Sequence, residues 1–271
     1  MSKTKEPKQK RVKEPRRPER TETGGLDYSV YYMKPGEYLM YLLLAAAALF
    51  ALGYVFYRSV ILSALVALLA FRFPAIRTRQ IIASRRQKLT LQFKDMLYSL
   101  SSALSAGNSV EQSMSIVLED MERQYVNPNT AIIQELELMV SKLSLNQNIE
   151  DLLLDLSNRS GIDDIRTFAN IFEISKRTGG NLIQIIRQTS DVISQKIETK
   201  VEIDTMLAEK KMEQKVLAVM PILLMLLLTQ TTGDFMAPLF NSIGGRIVST
   251  FALALIFVGY LWGLKLTDIT V

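Results

Sequence analysis

The chain has 271 residues, of which 48% are hydrophobic and 22% are charged, and its formal net charge is +5. It contains no cysteine and no histidine. This composition excludes disulfides, thiolate nucleophiles and cysteine-bound metals, and it removes the usual general base near neutral pH. A positive mean hydropathy beside so many charges indicates that apolar and charged residues lie in separate segments.

Residues 1–36 form a polar, basic segment with few apolar positions before Leu26. Such a segment cannot bury enough apolar surface to offset the entropy lost on ordering, so we predict a disordered cytoplasmic tail. Its basic run over residues 8–13 could in principle bind nucleic acid. Because an apolar span follows, we expect contact with anionic membrane lipid or a purely topological role, and no nucleic acid.

Two apolar runs then predict a transmembrane hairpin over residues 37–76. The first run, residues 38–57, carries no charge and is long enough to cross a bilayer as a helix. The second run, residues 59–73, can span if Arg72 extends its charged end to the interface. Arg58, with the serine that follows it, forms the turn between the two spans.

A helical region is predicted over residues 77–215. Apolar residues recur there at helical spacing in six separate segments, and short polar links join these segments. No alternating pattern of useful length indicates a β-strand. The prediction is therefore an all-α fold with an antiparallel six-helix bundle.

Two glycine turns separate helices of this bundle. Gly107 follows one apolar stripe, and Gly179 and Gly180 follow the stripe that begins near Ile165. Glycine accepts the positive φ that a helix stop requires, and Asn181 is a suitable N-cap for the next, long helix. A diglycine can also cradle a phosphate, but no strand precedes this one and no Gly-Lys-Ser/Thr follows, so we interpret it as a helix hairpin.

A second transmembrane hairpin is predicted over residues 216–264. Its first span covers residues 216–229 and contains Pro221, which kinks a membrane helix more often than it ends one. An external loop covers residues 230–246, and the last span covers residues 247–264. The polytopic protein thus has two transmembrane hairpins on either side of the bundle.

The distribution of charge predicts the topology. Basic residues precede the first hairpin, and six cations without an acid follow it, namely Arg72, Arg77, Arg79, Arg85, Arg86 and Lys88. The positive-inside rule therefore places the bundle, both termini and the closing residues 265–271 in the cytoplasm.

The most obvious candidates for chemistry are acidic. Asp163 and Asp164 open a helix, where acids stabilise the dipole, and no partner nucleophile is evident. Glu119, Asp120 and Glu122 could bind a cation, although adjacent acids on a bundle surface are usually only solvated. We therefore expect no catalytic residue, no cofactor, no metal site and no enzyme.

The long helix after the diglycine turn carries charges of both signs. Glu198, Glu202 and Glu209 alternate there with lysines. Such a helix face is usually exposed and supported by pairs four residues apart. It could also bind a partner protein, and these three glutamates are the candidate partner face.

Several motifs carry a family resemblance. They are Phe-Lys-Asp-Met-Leu at 93–97, Leu-Ser-Ala-Gly at 104–107 with Ser109 and Glu111, Arg-Thr-Gly-Gly-Asn-Leu at 177–182, Pro221, and Asp-Phe-Met-Ala-Pro-Leu-Phe at 234–240. With them, residues 42–264 resemble the F-domain family of type II secretion systems. This family comprises inner-membrane platform proteins of bacterial secretion and type IV pilus machines. A single F domain between two hairpins is most similar to the TadB/TadC type of Tad (tight adherence) pili.

The resemblance implies a platform protein in the bacterial plasma (inner) membrane. It would couple a cytoplasmic assembly ATPase to pilin or pseudopilin subunits and pair with another copy or a paralogue. One alternative is a small four-span transporter or channel with a regulatory helical domain, but the ionisable residues expected in mid-span are absent. Another is a membrane-bound signalling enzyme, for which no nucleotide loop is evident.

Overall fold

The computed structural model describes residue 21, residues 24–179 and residues 181–267, except for the side chains of residues 233–235, 237, 261 and 264–267. Within these ranges the chain forms ten α-helices and one 3₁₀ helix and no β-strand. The prediction of an all-α fold is confirmed.

Four helical segments are long and apolar enough to cross a membrane, as predicted. They are Pro35–Tyr57, Val60–Ser105, Leu182–Thr231 and Ile243–Tyr260. Two of them are much longer than a bilayer requires, because about 20 residues suffice to cross the hydrocarbon core. These two helices therefore extend well beyond the membrane.

The first hairpin joins α1 (Pro35–Tyr57) to α2 (Val60–Ala67) through a two-residue turn. Arg58 ends α1 with a φ of 45°, and its N–H donates to the carbonyl of Tyr54. The helices approach closely at Gly53, where a Cβ would lie 2.9 Å from the Cα of Ser63. A glycine at this position therefore sets the distance between the two helices.

The second span continues into the bundle. A 3₁₀ helix, Leu68–Arg72, links α2 to α3 (Phe73–Ser105), so the predicted boundary at residue 77 lies inside a helix. The remaining bundle helices are α4 (Val110–Gln124), α5 (Ala131–Ser144), α6 (Ile149–Ser160), α7 (Asp163–Thr178) and α8 (Leu182–Thr231).

The bundle core is apolar and closely packed. Phe168 is fully buried at the centre of this core. The centre of its ring lies 5.5 Å from the ring centre of Phe93 and 5.6 Å from that of Phe172. Helices α3 to α8 all contribute buried residues. On α3, which starts at Phe73, the continuous buried stripe begins at Leu89.

Helix α8 has 50 residues and passes through Pro221 without a break. The predicted span at residues 216–229 is therefore the last part of the same helix. A proline inside a helix removes one backbone hydrogen bond, which neighbouring groups in a membrane can compensate. The rise in hydropathy after residue 215 therefore marks the start of the apolar span and not the end of a helix.

The segment predicted as an external loop contains a short helix. Helix α9 covers Gly233–Asn241, and α10 covers Ile243–Thr267. Ser242 separates them, and its hydroxyl accepts a hydrogen bond from the Gly245 N–H at 2.9 Å, as an N-cap does. This cap starts α10 four residues before the predicted fourth span.

Candidate functional site

The Gly107 turn lies at the end of the bundle that is remote from the spans. Gly107 has a φ of 88° and open space around its Cα, so its backbone conformation, not close packing, favours glycine. Ser109 caps α4: its hydroxyl accepts from the Gln112 N–H at 3.2 Å, and the Gln112 side chain accepts from the Ser109 N–H at 3.3 Å. The side chain of Asn108, the residue before this cap, instead donates to the Ala103 carbonyl at 2.9 Å.

The second turn lies at the same end, because α3 leaves the membrane and α8 returns to it. Gly179 has a φ of 73°, and its N–H donates to the Ser175 carbonyl. The side chain of Asn181 accepts from the Gln184 N–H at 3.2 Å, so the predicted cap forms. Gly180 lies outside the described residues.

The motif at residues 93–97 supports packing between helices. Phe93 belongs to the aromatic core, and Asp95 accepts a hydrogen bond from the Tyr125 hydroxyl at 2.6 Å. Burial and this contact with Asp95 both raise the pKa of Tyr125 above its ordinary value. The motif therefore fixes α3 against the end of α4.

The predicted acidic candidates make contacts within their own helix or to a neighbouring helix. Asp163 lies 3.6 Å from Arg166, and Asp164 accepts a hydrogen bond from Lys196 on α8. Asp120 accepts a hydrogen bond from Ser99 at 2.7 Å, and Glu119 pairs with Arg123. Among the residues described, no group of three or more acidic, histidine or cysteine side chains could hold a metal ion.

The candidate partner face forms a straight stripe. At about 100° per residue, Glu198, Glu202 and Glu209 fall within about 40° of one another around α8. All three side chains are exposed. The ion pairs found in the described part of this helix use other acids: Lys211 pairs with Asp204 at 2.9 Å and Lys210 with Glu213 at 3.0 Å.

These pairs shift the pKa values of their members. The hydrogen bond and charge of Lys211 lower the pKa of Asp204, and the corresponding contact with Glu213 raises the pKa of Lys210. Both pairs are exposed to solvent, so they support the helix locally and contribute little to global stability. The partner face is left available for contacts outside the chain.

Residues 198–215 of α8 form a stalk between the bundle core and the second hairpin. The buried residues of α8 end at Ile193, and no described side chain of the stalk is buried. Where the stalk meets the membrane, Gln214 donates to the Tyr260 carbonyl of α10 at 2.9 Å. The stalk therefore bears the partner face and leads directly into a span.

The two hairpins also contact each other at the opposite end of the membrane region. The Tyr57 hydroxyl donates to the Thr250 hydroxyl at 2.9 Å. The Arg58 guanidinium lies 5.8 Å from the centre of the Phe240 ring. The turn of the first hairpin and helix α9 thus lie at the same end of the membrane region.

A buried polar cluster on α5 and α6 was missed by sequence reasoning. Arg159 and Glu135 are 5% and 2% exposed, and they form two hydrogen bonds of 2.8 and 2.6 Å. Each residue lies in line with the apolar stripe of its helix, beside Leu156 and Leu136. The available signal was a charged residue within each of two apolar stripes that follow one another in the chain. One of these residues is acidic and the other is basic, so the two could pair in the core.

Tyr28 completes this cluster and corrects the prediction of a disordered tail. Its side chain is 5% exposed, and its hydroxyl donates to Glu135 at 3.0 Å. The tail prediction is therefore wrong for residues 24–34, because an aromatic side chain and a glycine pair let this short segment pack against the bundle. Residues 1–20 lie outside the described residues.

The cluster shifts the pKa values of two members. Burial, together with the charge and hydrogen bond of Glu135, raises the pKa of Tyr28 far above its ordinary value. Burial acts to lower the pKa of Arg159, but its contacts with Glu135 and Asp155 outweigh this effect and raise it. Tyr28 therefore stays a hydrogen-bond donor, and Arg159 stays charged, at physiological pH.

Comparison with known proteins gives one result. Residues 96–229 match the model of the family described as Type II secretion system (T2SS), protein F. No curated protein and no solved structure matches the chain. The matched region contains both glycine turns, most of the bundle and the whole stalk, and the four apolar helices make the chain a multi-pass membrane protein. Residues 96–229 are therefore a domain of the F-domain family of type II secretion systems.

Proposed function

We propose that the protein is an inner-membrane platform of a type II secretion or pilus assembly machine, of the single-domain type found in Tad pili. It couples a cytoplasmic assembly ATPase to pilin or pseudopilin subunits in the membrane. The family match supports the class of machine. The presence of one F domain between two pairs of apolar helices supports the Tad type.

The continuity of α8 is the observation that carries this proposal. Its 50 residues extend for about 75 Å at 1.5 Å per residue, from the remote end of the bundle to the far end of a span. An unbroken helix of this length transmits a displacement of the bundle to the membrane. Helix α3 provides a second continuous path from the bundle to the first hairpin.

The partner face lies where a cytoplasmic partner can reach it. Glu198, Glu202 and Glu209 project from the stalk between the bundle core and the membrane. The partner is the ATPase, another copy of the chain or a paralogue. A two-fold pairing through this stripe alone would oppose acids to acids, so a basic surface on the partner fits it better.

The protein works mechanically in this account. Force applied to the bundle or stalk moves the spans, and the spans lift a pilin out of the bilayer. No step requires a catalytic residue, a cofactor, a metal or nucleic acid. The basic flanks of both hairpins support a cytoplasmic location for the F domain and both termini, where an ATPase could reach them.

A deletion and co-purification experiment tests the proposal. We expect deletion in the source bacterium to abolish pilus assembly or secretion, and expression of the intact chain to restore it. We expect a tagged full-length chain, solubilised in mild detergent, to co-purify with a secretion ATPase. Normal assembly in the deletion strain, together with a defect in solute flux, would contradict the proposal and favour a transporter.

A further inference from the structure

Residues 24–34 form a strap that connects the bundle to the start of α1. The strap lies outside the region matched by the family model, which begins at residue 96. It is attached to Glu135 of α5 and Arg159 of α6. The chain from the strap enters the first span directly at Pro35.

Three hydrogen bonds hold the strap to α5 and α6. The Tyr28 N–H donates to the Arg159 carbonyl at 3.0 Å, and the Tyr28 hydroxyl donates to Glu135 at 3.0 Å. The guanidinium of Arg159 donates through Nη1 to the Leu26 carbonyl at 2.9 Å. Both backbone groups and a side chain of the strap therefore form hydrogen bonds to the bundle.

The guanidinium of Arg159 has no freedom to leave this arrangement. Nη1 and Nη2 bind the two oxygens of Glu135, and Nε donates to Asp155 at 2.7 Å. Loss of one partner leaves buried polar groups unpaired, which costs more than the lost bond itself. The strap and the ion pair therefore stabilise each other.

Gly25 fits against the flat guanidinium. A Cβ at this position would lie 2.2 Å from Cζ of Arg159 and 2.3 Å from Nη1. A flexible side chain could move aside, but this one is held by Glu135, Asp155 and Leu26. Any larger residue at position 25 must displace either the strap or the ion pair.

The second half of the strap is tied to α3. The Arg85 guanidinium lies 4.3 Å from the centre of the Tyr31 ring, a distance typical of cation–π contacts. The Tyr31 hydroxyl donates to Glu37 in the first turn of α1 at 2.9 Å. One turn later, Arg77 lies 5.5 Å from the centre of the Tyr41 ring.

The strap is too short to allow large relative motion. From Tyr28 to Pro35 the chain advances by seven residues and can span at most about 25 Å. We propose that the strap is a third tether, which fixes α5 and α6 to the first hairpin so that bundle and both hairpins move together. This inference rests on the proposed function, because the movement of bundle and spans is the one that the ATPase would drive.

A pair of glycine variants provides a matched test. Gly25→Ala introduces the methyl group that overlaps Arg159, whereas Gly36→Ala introduces one into open space in the first turn of α1. We would measure hydrogen exchange of the full chain in lipid nanodiscs. We expect exchange in residues 24–34 to accelerate about tenfold or more in Gly25→Ala, and to stay unchanged in Gly36→Ala.

The same variants are then tested for pilus assembly or secretion. We expect Gly25→Ala to lose assembly at normal protein level, and Gly36→Ala to keep it. Unchanged exchange in Gly25→Ala would overturn the attachment. Faster exchange with normal assembly would overturn the coupling, while the defect of the deletion strain would leave the proposed function intact.

A second variant covers the case in which Gly25→Ala also loosens the core. Tyr28→Phe keeps the ring and removes only the hydroxyl that donates to Glu135. We expect faster exchange of the strap with unchanged exchange in the core helices, and reduced assembly. Wild-type exchange of the strap in Tyr28→Phe would contradict the role of the cluster.

Discussion

Helix α8 has two parts with different surroundings. In its first turns, Ile186, Ser190 and Ile193 are buried in the bundle core, whereas the stalk further along the same helix has no buried side chain among those described. Two regions of one continuous helix are therefore held by different interactions. The first is fixed by packing against α3 and α7. The stalk relies on residues with high helix propensity and on local pairs such as Lys211 with Asp204.

Under the proposed function, this difference separates stability from force transmission. Substitutions in the core should unfold the F domain, and loss of function would follow from loss of the fold. Substitutions in the stalk should leave the core folded and still stop the machine.

Replacement of a core aromatic residue should have the largest effect. Phe172→Asp places a charge beside Phe168 in a fully buried site, and we expect a loss of about 4 kcal/mol or more. Thermal unfolding of the full chain, followed by circular dichroism, should show the loss of the F-domain transition. Phe172→Leu is the control and should cost roughly 1–2 kcal/mol. An unchanged transition in Phe172→Asp would refute the assigned core.

A proline in the stalk should break the helix without unfolding the core. Ala208→Pro removes a backbone donor on an exposed stretch and should cost about 3 kcal/mol of local helix stability. Hydrogen exchange should accelerate in the stalk but not in α4 to α7, and assembly should be lost. Ala208→Ser, with a cost of roughly 0.5 kcal/mol, is the control and should assemble normally. Normal assembly in Ala208→Pro would show that the stalk carries no force.

Charge reversal on the partner face should have the smallest effect on stability. Glu198→Lys, Glu202→Lys and Glu209→Lys together should change the free energy of unfolding by less than about 0.5 kcal/mol per site, because all three side chains are exposed. Assembly should nevertheless be abolished.

A control for this triple variant reverses three exposed glutamates elsewhere on the bundle, at Glu111, Glu122 and Glu137. It has the same change in net charge and should assemble normally. Equal effects of the two triple variants would indicate a general response to charge. Normal assembly in the stalk variant would leave that helix a structural element only.

Local signals account for what the sequence predicts well. The Asn181 cap and the positive φ of Gly179 depend on residues within one helical turn, so the pattern of neighbouring residues reveals them. That Glu198, Glu202 and Glu209 share one side of α8 was also predictable, since their spacing in a helix determines it.

Long-range contacts account for what it does not predict. Tyr28 and Glu135 are separated by 107 residues, and no local pattern relates them. The continuity of α3 and α8 across the membrane boundary was only partly evident, because a change in hydropathy does not end a helix. Helix α9 was missed because its segment is rich in glycine, threonine and proline.

The central claim is that the F domain lies in the cytoplasm and that the α9 segment lies outside. The native chain has no cysteine, so single cysteines can be introduced without background. Val126, which is 95% exposed in the bundle, and Asn241, exposed at the end of α9, are suitable sites. Intact cells would be treated with a thiol reagent that does not cross the inner membrane. We predict labelling of Asn241→Cys in intact cells and of Val126→Cys only after the membrane is permeabilised. Labelling of Val126→Cys in intact cells would contradict the account.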